Sequence, residues 1–284
     1  MIRWNEIPVK DRKKIYRQKS KGKSLPLKTI MLKDMYKDLE CVCFLPGTSL
    51  CEFDLQTLEN FCQEKPVFTV KTATQKFSNI TDVCITNHYA TFDFPENPPY
   101  LVLSRQETPL GYKNWINTDL VESGTHRISF LNKPDTLWGS DTSARHSRSV
   151  INANRWEENS FMNSPINRII GPGIMNDMVV PLLVHFGVKK VSILGWDGAK
   201  IQEDGSIRHF YDIETQFKPT LNYVSNKFNL SNLKSDTVEC EQQIAKRGEE
   251  KVHNYLLSKG VELEILTKNS AITSKIKRNF ILYK

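Results

Sequence analysis

Short apolar runs with no polar alternation recur along the chain: CVCFL (41–45), PVFTV (66–70), DVCIT (82–86), YLVLS (100–104), RISFL (127–131), KVSILG (190–195) and VELEIL (261–266). A strand with one wet face alternates polar and apolar residues. A continuous apolar run needs cover on both faces, which is the habit of parallel sheets layered by helices. Two helical stripes supply such cover. From Ile174, the residues Met175, Met178, Val179, Leu182, Leu183 and Phe186 share one face, with Pro181 as a kink and Gly187 as a C-terminal cap. A second stripe runs from Cys240 to Leu257, with Ile244, Val252, Tyr255 and Leu256 facing in, and ends at Gly260 before the last apolar run. Helix, Gly stop and strand, twice over, is a βαβ rhythm. The expectation is an α/β, Rossmann-like, mainly parallel sheet with helices on both faces, binding its ligand beyond the carboxyl ends of the strands.

At 284 residues the chain can bury one large core with a small lid. Its charge is unevenly spread. Through Glu40 there are 12 Lys/Arg against 5 Asp/Glu, leaving 27 against 27 in the remainder. We therefore expect a basic arm over residues 1–38, mobile or helical on a partner, and a neutral body over 39–284 with a lid at about 198–238, a long polar stretch without apolar period. The last residues mix Lys275, Lys277 and Arg278 with Phe280, Ile281, Leu282 and Tyr283, fitting an anionic membrane surface or, equally, a last core strand. No secretory signal or membrane span is present, so the expected location is cytoplasmic. Cys41, Cys43, Cys51, Cys62, Cys84 and Cys240 follow no paired zinc spacing and read as reduced thiols, Cys41 and Cys43 sharing one face of a strand.

Several strand ends carry chemistry. LPGTSL after the first strand offers the backbone of Gly47 and the hydroxyls of Thr48 and Ser49, a cradle for phosphate or base, or an ordinary turn. Asn87 closes the third run and can both donate and accept toward a base or sugar, while His88 reads as surface or core. Gly171-Pro172-Gly173 lets a ligand approach a helix start, or lets the helix pack closely. Asp197 ends the sixth run. In the lid, Arg208, His209 and Tyr211 are grouped donors able to stabilise a leaving phosphate. Glu239 and Glu241 open the late helix, as a base or as acids complementing its dipole. The polar loop from Trp138 either binds an acceptor's anionic groups or connects elements. No compact D-x-D ends a strand, so no metal is expected.

This order of motifs resembles the family 42 bacterial sialyltransferases, enzymes of the cytoplasmic face with a variant single Rossmann-type (GT-A) domain and a lid. Their Gly-x-Gly-Pro-Ser-Leu turn is similar to LPGTSL at Gly47, Ser49 and Leu50, and their Tyr-Asn-Pro to Thr86-Asn87-His88. Their Thr-Ser-Gly-Val-Tyr-Met helix start, with its Gly-Tyr-Lys-Glu-Ile-Tyr-Leu-Ser-Gly-Ile-Asp ending, resembles Gly171 to Met175 and then Gly187 to Asp197, with Pro172 where the family has a donor-binding Ser. Of the two lid tyrosines that hold the phosphate, one falls near His209 and Tyr211 and the other at Ala199. Pro-Asn-Ser resembles Lys268-Asn269-Ser270. The family's His base has no counterpart between His209 and His253, and Glu239 or Glu241 lies near that position.

The resemblance implies an inverting glycosyltransferase without an obligatory cofactor, moving sialic acid from a cytidine monophosphate (CMP) donor to a glycan acceptor of a bacterial surface polysaccharide or lipooligosaccharide. Donor contacts fall on Gly47, Thr48, Ser49, Asn87, Gly171, Gly173, Asp197 and Arg208, and catalysis on Glu239, His209 and Tyr211. A Kdo or other nonulosonate donor is the alternative. An inactive module binding nucleic acid or an anionic surface is the alternative of a different class. Peripheral contact of the basic termini with the inner membrane face, and a homo-oligomer, are further expectations.

Overall fold

The computed structural model describes residues 2–23, 25–86, 101–106, 126–131, 179–197, 209–217, 249, 252–270, 272 and 275–283. The apolar runs become strands: β1 (Glu40–Phe44), β2 (Val67–Val70), β3 (Val83–Thr86), β4 (Leu101–Gln106), β5 (His126–Leu131), β6 (Lys190–Leu194) and β7 (Glu262–Ile265), joined by a two-residue β8 (Lys277–Arg278). They form one eight-stranded sheet in the order β5-β4-β3-β2-β1-β6-β7-β8. Every neighbouring pair runs parallel. The chain winds outward from β1 to β5, then returns across to β6 and winds the other way, so the order reverses between β1 and β6. That doubly wound parallel sheet makes the chain α/β and Rossmann-like.

The continuous apolar runs are explained by two separate cores. Cys41, Cys43 and Leu45 face one side with Phe68, Val70, Val191 and Ile193; Val42 and Phe44 face the other with Val67 and Leu194. The first side is covered by α1 (Val9–Ser20), α2 (Leu25–Leu32), α5 (Val180–His185) and α7 (252–258), through Tyr16, Leu32, Leu182, Leu183, Val252 and Leu256. The second is covered by α3 (Leu55–Phe61), α4 (Ala73–Lys76) and α6 (Phe210–Ile213), through Leu58, Ala73 and Phe210. In the described part of the helix before β6, Val179 is already helical and Pro181 follows Val180 near the start of that part. Gly187 follows at φ 74°, the left-handed cap the sequence called for.

Among the described residues five cysteines are free thiols, and Cys41, Cys43, Cys62 and Cys84 are buried. Burial pushes the Cys62 and Cys84 thiols each up to about 12, so they are unreactive apolar fillers.

The basic N-terminal segment, expected as a mobile arm or as a short helix on a partner, is helical. It forms α1 and lies on its own sheet. Arg12 donates to the carbonyls of Ile7 at 2.9 Å and Met35 at 2.6 Å. Lys13 Nζ donates to the Thr81 carbonyl at 3.0 Å and pairs with Asp82 Oδ1 at 2.9 Å. The opposite Asp82 oxygen accepts from the Val67 N–H at 2.9 Å. At the other terminus Arg278 donates to the carbonyls of Thr267, Ser270 and Ile272, while Phe280 and Ile281 stay exposed. The C-terminal cluster thus splits between a short edge strand and an exposed apolar turn.

Candidate functional site

The strand order reverses between β1 and β6, and the region beyond the carboxyl ends at such a reversal is the crevice where doubly wound sheets hold ligands. Pairing of the two strands continues past their ends. Leu45 N–H donates to Leu194 O at 2.8 Å and Gly47 N–H to Gly195 O at 3.0 Å. Two glycines meet here because nothing larger fits. Gly195 sits at φ 83°, and a Cβ on it would lie 1.8 Å from the Leu45 carbonyl oxygen. A Cβ on Gly47 would lie 2.3 Å from Asp197 Oδ2. Gly47 therefore serves first to admit the carboxylate at the end of β6.

That carboxylate is held tightly. Asp197 Oδ1 accepts from Ser49 Oγ at 2.6 Å, and Oδ2 accepts from the Ser49 N–H at 2.9 Å and from Thr48 Oγ1 at 3.3 Å. Ser49 Oγ in turn accepts from the Gly195 N–H at 2.9 Å. Only 8% of Asp197 is exposed. Burial pushes its carboxyl above the ordinary aspartate value, the nearby Glu52 adds to the rise, and the Ser49 and Thr48 donors oppose it. The turn expected to cradle a ligand phosphate thus presents its donors to the chain's own acid.

Residues 209–217, within the stretch expected as a lid, close one flank. His209 bridges Gly47 in antiparallel fashion, and the Phe210 N–H donates to Pro46 O at 3.1 Å. This pair takes the place beside β1 that β2 vacates when it ends. Phe210 is fully buried against Phe44, Leu50 and Phe77. Glu214 pairs with Lys76 Nζ at 2.6 Å, and the same ammonium donates to Leu50 O at 3.1 Å. The anchored segment holds the His209 and Tyr211 rings stacked, centroids 4.8 Å apart and planes within 6°. Asp212 accepts from the His209 N–H at 2.9 Å. Burial is the main reason the His209 imidazole is pulled down to about 4, and the Lys71 ammonium lowers it further. It is neutral at physiological pH, able to exchange hydrogen bonds but not to act as a cation.

The far flank carries a ring that sequence reasoning did not find. Glu52 accepts from Thr267 Oγ1 at 2.9 Å, from Asn269 Nδ2 at 2.9 Å and from the Tyr283 hydroxyl. Ser270 Oγ donates to Trp196 O at 2.6 Å. These contacts tie the β1, β6 and β7 loops to the C-terminus. Lys71, at φ 53° just after β2, is the second unexpected residue. Neither lies in a recognisable motif, and only the Lys268-Asn269-Ser270 match pointed to this rim.

Of the expected site residues, Gly47, Thr48, Ser49, Asp197, His209 and Tyr211 converge at the crevice. Asn87, Gly171, Gly173, Arg208 and Glu239, together with Glu241 and the loop from Trp138, lie outside the described residues. No protein-family model matches the sequence, and no curated protein matches it.

Proposed function

We propose that the crevice binds a nucleotide-activated acidic sugar and that the chain is an inverting glycosyltransferase, with a CMP-activated sialic acid as donor and a glycan as acceptor. The observation that carries this reading is the convergence of Gly47–Ser49, Asp197 and the His209–Tyr211 stack at the strand-order reversal. Asp197 exchanges its Ser49 and Thr48 donors for hydroxyls of the nucleoside, and the released N–H and hydroxyls turn to the phosphate. Tyr211 and the neutral His209 then donate to the phosphate oxygens as the leaving group departs. In the transfer, the acceptor hydroxyl oxygen bonds to the anomeric carbon, the bond from that carbon to the phosphate oxygen breaks, and CMP leaves with the electron pair. The acceptor's proton passes to Glu239, with His209 as the alternative base. A Kdo or other nonulosonate donor shares this chemistry.

One observation favours a second reading, in which the rim is a closed structural lock and the chain a binding module without catalysis. Ser49 already has a complete set of partners in Asp197 and Gly195. One experiment separates the two. The protein is melted with a panel of cytidine and uridine nucleotides, each in large excess. The transferase reading expects CMP to raise the melting temperature by several degrees, as ligand at about 100 Kd adds about 2.7 kcal/mol, and expects Asp197→Asn to abolish that rise. No shift with any nucleotide, or an equal shift in Asp197→Asn, would leave the lock as the correct description.

A further inference from the structure

Among the exposed cations of α1 and its C-cap, Lys10, Lys14 and Lys21 form a stripe, and Lys19 lies off it. Arg12, Lys13, Tyr16 and Ser20 are buried on one side of the helix, and Lys10, Lys14 and Lys21 are exposed on the other, at i, i+4 and i+11, with half-buried Arg17 at i+7 between them. α1 rests on α2, where the Tyr16 hydroxyl donates to the Lys28 carbonyl at 2.9 Å. Among the residues of α2 whose burial is described, the exposed ones are apolar. Leu27 is 41% and Ile30 62% exposed, three positions apart and therefore on one face. Exposed Lys23 and Lys33 bracket them in the chain.

We infer that this helical pair is a docking surface for an anionic lipid bilayer, with Leu27 and Ile30 entering the acyl boundary and the lysines of α1 and its flanks meeting the headgroups. Charge complementarity favours an anionic partner: between residues 9 and 33 ten Lys/Arg stand against a single acid, Asp11. The exposed apolar pair selects a bilayer over nucleic acid, because a phosphodiester chain offers no apolar phase in which to bury Ile30. The buried Lys13–Asp82 pair and the Arg12 bonds fix α1 to the sheet, so the stripe is presented by a rigid body. The surface shares no residue with the crevice and holds whether or not the chain is a transferase.

The test is co-sedimentation of the full chain with vesicles of phosphatidylcholine alone and with 30% phosphatidylglycerol (on the order of physiological anionic content). Binding is expected only to the anionic vesicles, weakening as salt rises. Lys10→Glu, Lys14→Glu and Lys21→Glu should each lower the partition roughly fivefold or more. Ile30→Ser, an exposed change that leaves the melting temperature unaltered, should also release the protein. No binding at low salt would overturn the inference, as would binding that Ile30→Ser leaves intact. Tight capture of a single-stranded RNA oligomer that the anionic vesicles fail to displace would overturn it in favour of a nucleic-acid partner.

Discussion

At the residue scale, two glycines and one histidine carry distinct consequences. Gly195→Ala forces a Cβ to within 1.8 Å of the Leu45 carbonyl oxygen at φ 83°, so it should cost at least about 2 kcal/mol in urea unfolding. Gly47→Ala collides with a side chain instead, Asp197 Oδ2 at 2.3 Å. Its cost should therefore shrink when Asp197→Ala is present, a non-additivity that a double-mutant cycle would read. His209 gives a pH signature. The unfolded chain takes up this proton near the ordinary 6.5, whereas the fold resists until about 4. Between those values the unfolded state binds more protons. The contribution is complete above pH 6.5 and is lost as pH falls toward 4, by as much as about 3 kcal/mol. His209→Gln should flatten the stability profile across that window, and an unchanged profile would refute the desolvated imidazole.

At the element scale, α1 is joined to the sheet by a buried ion pair rather than by apolar contact alone. Lys13 and Asp82 are 8% and 7% exposed, so removing one partner strands the other in low dielectric. Burial pushes the Asp82 carboxyl above its ordinary value even with Lys13 opposing. Lys13→Met should cost about 3 kcal/mol near neutral pH. The loss should lessen as pH falls, because Asp82 then escapes its unpaired charge by taking a proton. Adding Asp82→Asn should restore part of the stability at neutral pH, measured by the urea midpoint at fixed m-value. The strands themselves were legible from their apolar runs. The helical role of KDRKKIYRQKS was not, because charged residues read as a solvated arm until Arg12 and Lys13 are seen capping carbonyls far along the chain.

At the scale of the whole molecule, the basic segment and the parallel sheet are one unit. Trp4, Tyr16, Leu32, Met35 and Tyr36 join the core cluster that includes Val70, Ile85 and Ile193. Deleting residues through Lys23 should therefore lower the melting temperature sharply and broaden the transition, as scanning calorimetry would record. A deletion protein that melts like the full chain would show the segment to be an appendage. Among the described residues no helix is long and apolar enough to cross a membrane.

The sequence by itself determined the architecture class, because continuous apolar runs spaced by Gly-capped helices have few ways to bury both faces. It also placed the candidate rim, since strand ends carry the polar residues Thr48, Ser49 and Asp197. It could not determine what those residues face. Asp197 meets Ser49 across 148 positions of chain, and nothing in either local motif records the encounter. Only tertiary structure decided that the turn's donors close on an internal carboxylate, that Gly47 makes room for it, and that His209 is held neutral. Hydrogen-bond partners and desolvation belong to neighbours in space, and strand order, not sequence order, chooses those neighbours.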